Sequence, residues 1–293
     1  MQEFEGRTAV VTGAASGIGL ALVEQFVGLG MRVVMADWHE KTLVTVAEDL
    51  AAQGADVLAV VTDVSDSASV DDLARRTFEA YGAVHILCNN AGVTRPGSTF
   101  EATIDDWKEV MAINFWGVLH GMRAFVPSML AHGQDGHVVN TSSINGLVTT
   151  PQFASYIASK YAVTGATETL AAEIALIPGA KLGVSLVCPA GVATNIFANE
   201  IDRWSNASIE SVGDETMKRF HAYSDPTRTD KASPADIASA VVRAIKDGTF
   251  YVLPQAAGAA TNGLRARMAT ITAALDGDES KAPKTTVQAP GMN

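Results

Sequence analysis

The chain has 293 residues, 47% of them hydrophobic, enough to bury one substantial core without splitting into several domains. A formal net charge of −11 excludes the basic footprint of nucleic-acid or anionic-membrane binding. No stretch approaches the roughly eighteen consecutive apolar residues of a membrane span, and two cysteines and six scattered histidines lack metal-ligand spacing.

Thr8-Ala9-Val10-Val11-Thr12 reads as a buried strand and runs into Gly13-Ala14-Ala15-Ser16-Gly17-Ile18-Gly19, then into an apolar helix. Glycines in such a turn permit a tight bend and close approach of a pyrophosphate, while the helix offers free N–H groups and its positive dipole end. The spacing Thr-Gly-x-x-x-Gly-x-Gly differs from the better-known Gly-x-Gly-x-x-Gly, and such turns also serve as plain strand-to-helix connections. A strand before it and a helix after it favour nucleotide binding. The next strand, Met31 to Ala36, ends in Asp37, where dinucleotide folds place the acid that binds the adenosine ribose. A carboxylate there accepts from both ribose hydroxyls and repels a 2′-phosphate. Neither Trp38, His39 nor Ala14-Ala15-Ser16 supplies an offsetting cation, so NAD is favoured over NADP unless Asp37 only caps a turn.

Val57 to Val61 reads as the third strand, followed by Asp63-Val64, and the fourth, ending at Cys88, is followed by Asn89-Asn90-Ala91-Gly92. Thr103-Ile104-Asp105-Asp106 reads as a capped start for the helix that bears Asn114. His120 and His132 read as surface or packing residues, and Cys88 and Cys188 as small buried apolar groups without a disulfide. Ser142 and Ser143 follow the fifth strand. Val184 to Cys188 forms the sixth, ahead of Pro189-Ala190-Gly191-Val192-Ala193-Thr194. Near-continuous apolar strands alternating with amphipathic helices predict an α/β fold, a doubly wound parallel sheet covered on both faces.

Between these strands lies Ser155-Tyr156-Ile157-Ala158-Ser159-Lys160. Helical spacing sets the Tyr156 phenol and the Lys160 ammonium one turn apart on one face. A free tyrosine, with a pKa of about 10, is a poor base until something stabilises its phenolate, and a neighbouring ammonium does so through charge. Lowering that pKa by ~3 units takes roughly 4 kcal/mol, more than one exposed pair supplies, so a bound cationic nicotinamide has to contribute the rest. A lone Tyr-x-x-x-Lys is also common on ordinary helix faces.

Beyond Thr194 the periodicity fades. Residues 194–232 read as a substrate lid in which Ile196, Phe197, Ile201 and Trp204 either cover the site or dock a surface helix. Ser233-Pro234-Ala235-Asp236 signals a capped helix and Phe250 to Leu253 a last strand. Ala256 to Leu275 reads as an extra helix that completes a single domain over 1–275, and 276–293 as a disordered tail. Met1-Gln2-Glu3-Phe4-Glu5 lacks a signal peptide's basic start, so a cytoplasmic protein is expected.

Taken in order from Phe4 to Leu253, these motifs resemble the short-chain dehydrogenase/reductase family in its single-domain, NAD-dependent Rossmann form. The resemblance implies that Gly13, Ser16, Gly17, Ile18 and Gly19 cradle the cofactor. Asp63 and Val64 hold its adenine, and Asn90, Ala91 and Gly92 line its ribose. Pro189, Gly191, Val192 and Thr194 enclose the carboxamide end. It further implies a catalytic set in which Asn114 interrupts its helix and positions a water for Lys160, and Ser143 orients the substrate oxygen. Tyr156 exchanges the proton, and Lys160 lowers the tyrosine pKa and anchors the nicotinamide ribose. Ser143 rather than Ser142 occupies the family's serine position counted back from Tyr156. The expected activity is interconversion of a secondary alcohol and a ketone with NAD, and the expected assembly is a homodimer or homotetramer. Leu147, Val148, Phe153 and Val192 are candidates for the pocket wall. The extra helix and Phe125 to Gly133 resemble members that oxidise bulky benzylic alcohols, including the Cα-dehydrogenases of lignin-fragment breakdown. A 3-oxoacyl thioester or steroid reductase is the second reading, and a non-catalytic NAD-binding sensor the third. One departure is Pro189-Ala190 in place of the family's Pro-Gly, harmless only if Ala190 keeps a negative φ.

Overall fold

Seven parallel strands pair in the order β3-β2-β1-β4-β5-β6-β7. They are β1 (Thr8–Thr12), β2 (Arg32–Asp37), β3 (Val57–Val61), β4 (Ile86–Asn89), β5 (Gly136–Thr141), β6 (Leu182–Val187) and β7 (Tyr251–Val252). The computed structural model describes residues 1–194, 218, 231–254 and 259–277. Eight α-helices are named among these residues: α1 (Gly17–Gly28), α2 (Glu40–Ala52), α3 (Ser67–Tyr81), α4 (Ile104–Met111), α5 (Gly117–Ala131), α6 (Ala154–Ala175), α7 (Pro234–Asp247) and α8 (Ala259–Leu275).

The strands are apolar on both faces because both faces are covered. Ala9 and Val11 of β1 pack with Leu22 and Phe26 of α1, Leu43 of α2 and Ile237 and Val241 of α7. Val10, one residue out of phase, turns to the other layer with Leu73 of α3, Phe125 and Met129 of α5 and Val163 of α6. The chain winds outward from β1 through β2 to β3, then crosses back to lay β4 on the other side of β1. The carboxyl ends of β1 and β4 therefore diverge at a crevice where the strand order reverses, the general location of ligands in open α/β sheets.

Two helix starts follow the expected local chemistry. Thr103 and Asp106 form a reciprocal capping box at α4, and Ser233 and Asp236 do the same at α7, with Pro234 opening that helix. The helix bearing Asn114 is broken, since a π-helical turn over Ala112–Trp116 separates α4 from α5. Residues 255–258 lie outside the described set, and α8 is observed from Ala259 onward. Ile196, Phe197, Ile201 and Trp204 of the expected lid, and all of the tail beyond Gly277, also lie outside it.

Candidate active site

The carboxyl end of β1 supplies the floor of the crevice. Gly13 and Gly17 adopt φ of +66° and +54°, conformations that a side chain resists. A Cβ added at Gly19 would lie 1.9 Å from the Gly13 carbonyl oxygen, so the turn closes on itself only with glycine there. Ser16 occupies the N-cap of α1 in an extended conformation without a capping side-chain bond, and the first turn of α1 carries no acidic residue. The helix thus presents uncapped N–H groups and an unopposed positive end, the donor set a pyrophosphate requires. Ile18 packs beneath this turn against the α1-side core.

Asp37 ends β2 beside the turn, where its two carboxylate oxygens accept the backbone N–H groups of Ala15 at 3.1 Å and His39 at 3.0 Å. The carboxylate is thus fixed in direction and keeps free lone pairs. Asp63 is exposed after β3 and accepts from Ser65, while Val64 is buried. Val64 rests against α5 at a point where a Cβ on Gly117 would come within 2.8 Å of it, and its carbonyl pairs with His120 Nδ1 at 2.9 Å. His120 is therefore a packing residue with a defined task, holding the loop after β3.

Thr12 joins the two halves of the crevice, which the sequence does not disclose. Its Oγ1 accepts the N–H of Asn90 at 2.9 Å and of Ala91 at 3.0 Å, and the Asn90 side chain donates to the Thr12 carbonyl at 3.1 Å. Gly92 faces the next layer, because a Cβ there would stand 3.3 Å from Asn114 Oδ1 and 3.4 Å from Lys160 Nζ.

Asn114 is buried in the π-turn and clamps the strand-4 loop. Its Oδ1 accepts from Val93 N at 2.8 Å, and its Nδ2 donates to Val93 O and to Ser159 Oγ, each at 2.9 Å. Lys160 Nζ donates to the Thr141 carbonyl at 2.9 Å and lies 5.6 Å from the centre of the Tyr156 ring. Ser143 caps the short 3-10 turn Ile144–Gly146, accepting from Asn145 N at 3.1 Å and reaching the Pro189 carbonyl at 3.5 Å, and its hydroxyl acts on the Tyr156 phenol in the direction that favours the phenolate. Ser142 turns the other way, donating to the Lys160 carbonyl at 2.9 Å and meeting Thr164 Oγ1 at 3.1 Å, so it ties β5 to α6.

Among the protein's own groups, burial pushes the Tyr156 phenol up, and the opposing effect of Ser143 does not overcome it. Lys160 stands close to the phenol ring but is itself buried. Burial pulls its own ammonium down to about 8, and its near partner is a carbonyl rather than the phenol oxygen. A further positive charge beside Tyr156 is needed to make the phenolate.

Pro189 accepts the Ile144 N–H at 2.8 Å, which binds the loop after β6 to the Ser143 turn. Ala190 keeps a negative φ, so the departure from Pro-Gly carries no strain. Val192 pairs with Ala232 in a short parallel bridge, with Ala232 N donating to Gly191 O at 3.0 Å. Thr194 closes the ring over the first turn of α1, its Cγ2 lying 3.2 Å from where a Gly17 Cβ would be. Of the wall candidates, Phe153 clusters with Ile157 against Tyr156 and Tyr161, Val148 is buried, Leu147 packs on the α6-side core and Val192 on the opposite one. Cys88 and Cys188 are buried free thiols, and among the described residues no acidic, histidine and cysteine cluster fits a metal ion.

Comparison with known proteins identifies the family and the fold. Residues 7–204 match the family model described as short chain dehydrogenase. The chain is 43% identical over 189 residues to 1-deoxy-11-beta-hydroxypentalenate dehydrogenase of Streptomyces avermitilis, covering 64% of this chain and 69% of that one. It is 34% identical over 194 residues to 2,5-dichloro-2,5-cyclohexadiene-1,4-diol dehydrogenase LinX of Sphingobium indicum, covering 66% and 76%. The crystal structure of a short chain dehydrogenase/reductase from Burkholderia phymatum in complex with NAD superposes with a TM-score of 0.88 at 37% identity, covering 98% of this chain and 100% of that one.

Proposed function

Because the chain belongs to the short chain dehydrogenase family, we propose that it is an NAD-dependent oxidoreductase that interconverts a bulky, ring-bearing secondary alcohol and its ketone. The observation that carries the reading is the gathering of buried Ser143 and a buried Lys160, 5.6 Å from the centre of the Tyr156 ring, at the carboxyl ends of the central strands. The Streptomyces and Sphingobium relatives are by name dehydrogenases of a hydroxypentalenate and of a cyclohexadiene diol, which supports a cyclic alcohol as substrate class. The Burkholderia neighbour was solved with NAD, and the fixed Asp37 carboxylate supports the same cofactor here.

In this reading the glycine turn and α1 hold the pyrophosphate and Asp37 the adenosine ribose. Asp63 and Val64 border the adenine, and Asn90 to Gly92, Tyr156 and Lys160 the nicotinamide ribose. Pro189, Gly191, Val192 and Thr194 enclose the carboxamide. NAD, when bound, supplies the hydride acceptor and a positive charge next to Tyr156. Ser143 Oγ orients the alcohol oxygen, and Tyr156 Oη takes its proton as the carbinol carbon loses hydride. Lys160 keeps a cation beneath the phenolate, and Asn114 fixes the loop that carries Gly92 and Val93. Reduction of the ketone runs through the same groups in reverse.

The chain works as a homodimer or homotetramer in the cytoplasm in this reading. Trp116, at the exposed junction of α4 and α5, supports pairing through the helices that bear Asn114 and Tyr156, and light scattering tests it. Among the described residues no helix is long and apolar enough to cross a membrane. Activity is tested by following NADH formation from NAD, then NADPH from NADP, across secondary alcohols from acyclic to cyclic and benzylic. Turnover with NAD on the cyclic or benzylic members is expected. Turnover confined to NADP or to short acyclic alcohols would overturn the cofactor or the substrate class respectively.

A further inference from the structure

The extra helix α8 lies beyond residues 7–204, yet it reaches back to the two segments that carry Ser143 and Tyr156. Arg267 Nη1 donates to the Leu147 carbonyl at 3.2 Å, and its guanidinium carbon stands 5.2 Å from the centre of the Tyr161 ring. Leu147 is the residue on which the turn begun by Ser143 ends. Tyr161 follows Lys160 on α6 and packs, with Tyr156, against Phe153 and Ile157. One side chain therefore touches both arms of the catalytic pair.

Ser142 ties the start of this turn to α6, and Arg267 adds a tie at its far end. Among the described residues the buried Tyr161 hydroxyl has no hydrogen-bond partner, so its ring is located by packing and by the cation over it. On α8 Ala273 is buried and Leu264 and Thr270 are half-buried, while Met268, Ile271 and Leu275 are exposed, and Arg267 contributes two of the interactions that dock the helix. A planar guanidinium suits both at once, stacking on the ring while an edge N–H meets a carbonyl.

We propose that Arg267 is a positioning residue of the active site. It clasps the Ser143 turn to α6 and so fixes the separation between Ser143 Oγ and Tyr156 Oη, across which the alcohol oxygen is held. The inference rests on the proposed dehydrogenase reading and assigns α8 a part in it. Small errors in that separation act on kcat, because proton transfer and orientation are both sensitive to placement.

The test uses the full chain with Arg267→Ala, Arg267→Lys and, as a control on the same helix, Arg265→Ala. Arg267→Ala is expected to lower kcat about tenfold while the NADH Kd and the melting temperature stay near wild type. Arg267→Lys, which retains a cation and a donor, is expected to recover most of that loss, and Arg265→Ala to show none. Backbone hydrogen exchange over residues 144–149 is expected to rise in Arg267→Ala only. A kcat within about twofold of wild type, or a fall shared equally by Arg265→Ala, overturns the proposal. So does a loss that tracks melting temperature and NADH binding. Wild-type protein without turnover on any alcohol defeats the dehydrogenase reading instead. The exchange measurement then decides on its own: unchanged exchange over 144–149 overturns the clasp, and raised exchange upholds it.

Discussion

Asp37→Asn separates charge from hydrogen bonding at the position that selects the cofactor. The amide keeps the length of the carboxylate and one acceptor oxygen, but one of the two backbone donors, Ala15 N at 3.1 Å or His39 N at 3.0 Å, loses its acceptor. That costs about 1 kcal/mol of folding stability, as for an ordinary partly exposed hydrogen bond. For NADP the gain is larger. A carboxylate about 4 Å from a 2′-phosphate is repelled by roughly 4 kcal/mol at an effective dielectric constant of 20, and screening at this partly exposed site reduces that to about 1 to 2 kcal/mol. For NAD, a charge-assisted bond to a ribose hydroxyl becomes a neutral one, a loss of about 1 kcal/mol. The ratio of the NADPH and NADH dissociation constants is expected to move by roughly one to two orders of magnitude toward NADPH. Fluorescence titration of wild type and variant with each reduced dinucleotide reads it directly. An NADPH affinity that does not improve would refute the assignment of Asp37 as the selector, whatever happens to NADH.

Thr12→Val preserves shape but removes the acceptor shared by Asn90 N and Ala91 N, leaving two N–H groups without a partner. A destabilisation of roughly 2 to 4 kcal/mol in thermal or urea unfolding is expected, with weaker NADH binding, and a change under about 0.5 kcal/mol would contradict it. His137 is held neutral, burial pulling its imidazole from 6.5 down to about 4. The unfolded chain takes up that proton first as the pH falls. The stability due to His137 is thus fully present above pH 6.5 and lost progressively down to about pH 4, by up to about 3 kcal/mol. His137→Leu loses the 2.8 Å contact with Ser185 Oγ but should flatten the pH dependence of unfolding in that window. An unchanged slope would assign the acid sensitivity to other groups.

Features written in local chemistry were legible in the chain. Apolar runs gave the strands, Thr103 with Asp106 and Ser233 with Asp236 gave helix starts, and the glycines of 13–19 gave a turn that admits no side chain at Gly19. What sequence could not convey depends on partners far along the chain. Thr12 looks like an ordinary strand end until Asn90, seventy-eight residues later, is seen to donate to it. The upward push of burial on the Tyr156 phenol is likewise a property of the whole packing, against which the charges of Lys160 and a bound nicotinamide have to work. Gln152, with φ of +70°, is the positive-φ non-glycine among the described residues, and nothing in its neighbours' identity announces it. Its carbonyl accepts Gly97 N at 2.8 Å, joining the loop after β4 to the start of α6. The role of α8 is of the same kind, since Arg267 reads as one more surface cation until Leu147 and Tyr161 are found beneath it.

The central claim is that Tyr156 exchanges the alcohol proton with NAD bound alongside. The most direct measurement is NADH formation by Tyr156→Phe with the preferred alcohol, made with an NADH titration of the same sample. The substitution removes only the phenol hydroxyl and keeps the ring over Lys160. Turnover reduced by at least about a hundredfold with an NADH Kd within a few-fold of wild type is predicted. Turnover within about tenfold of wild type would show that another group carries the proton and would contradict the account.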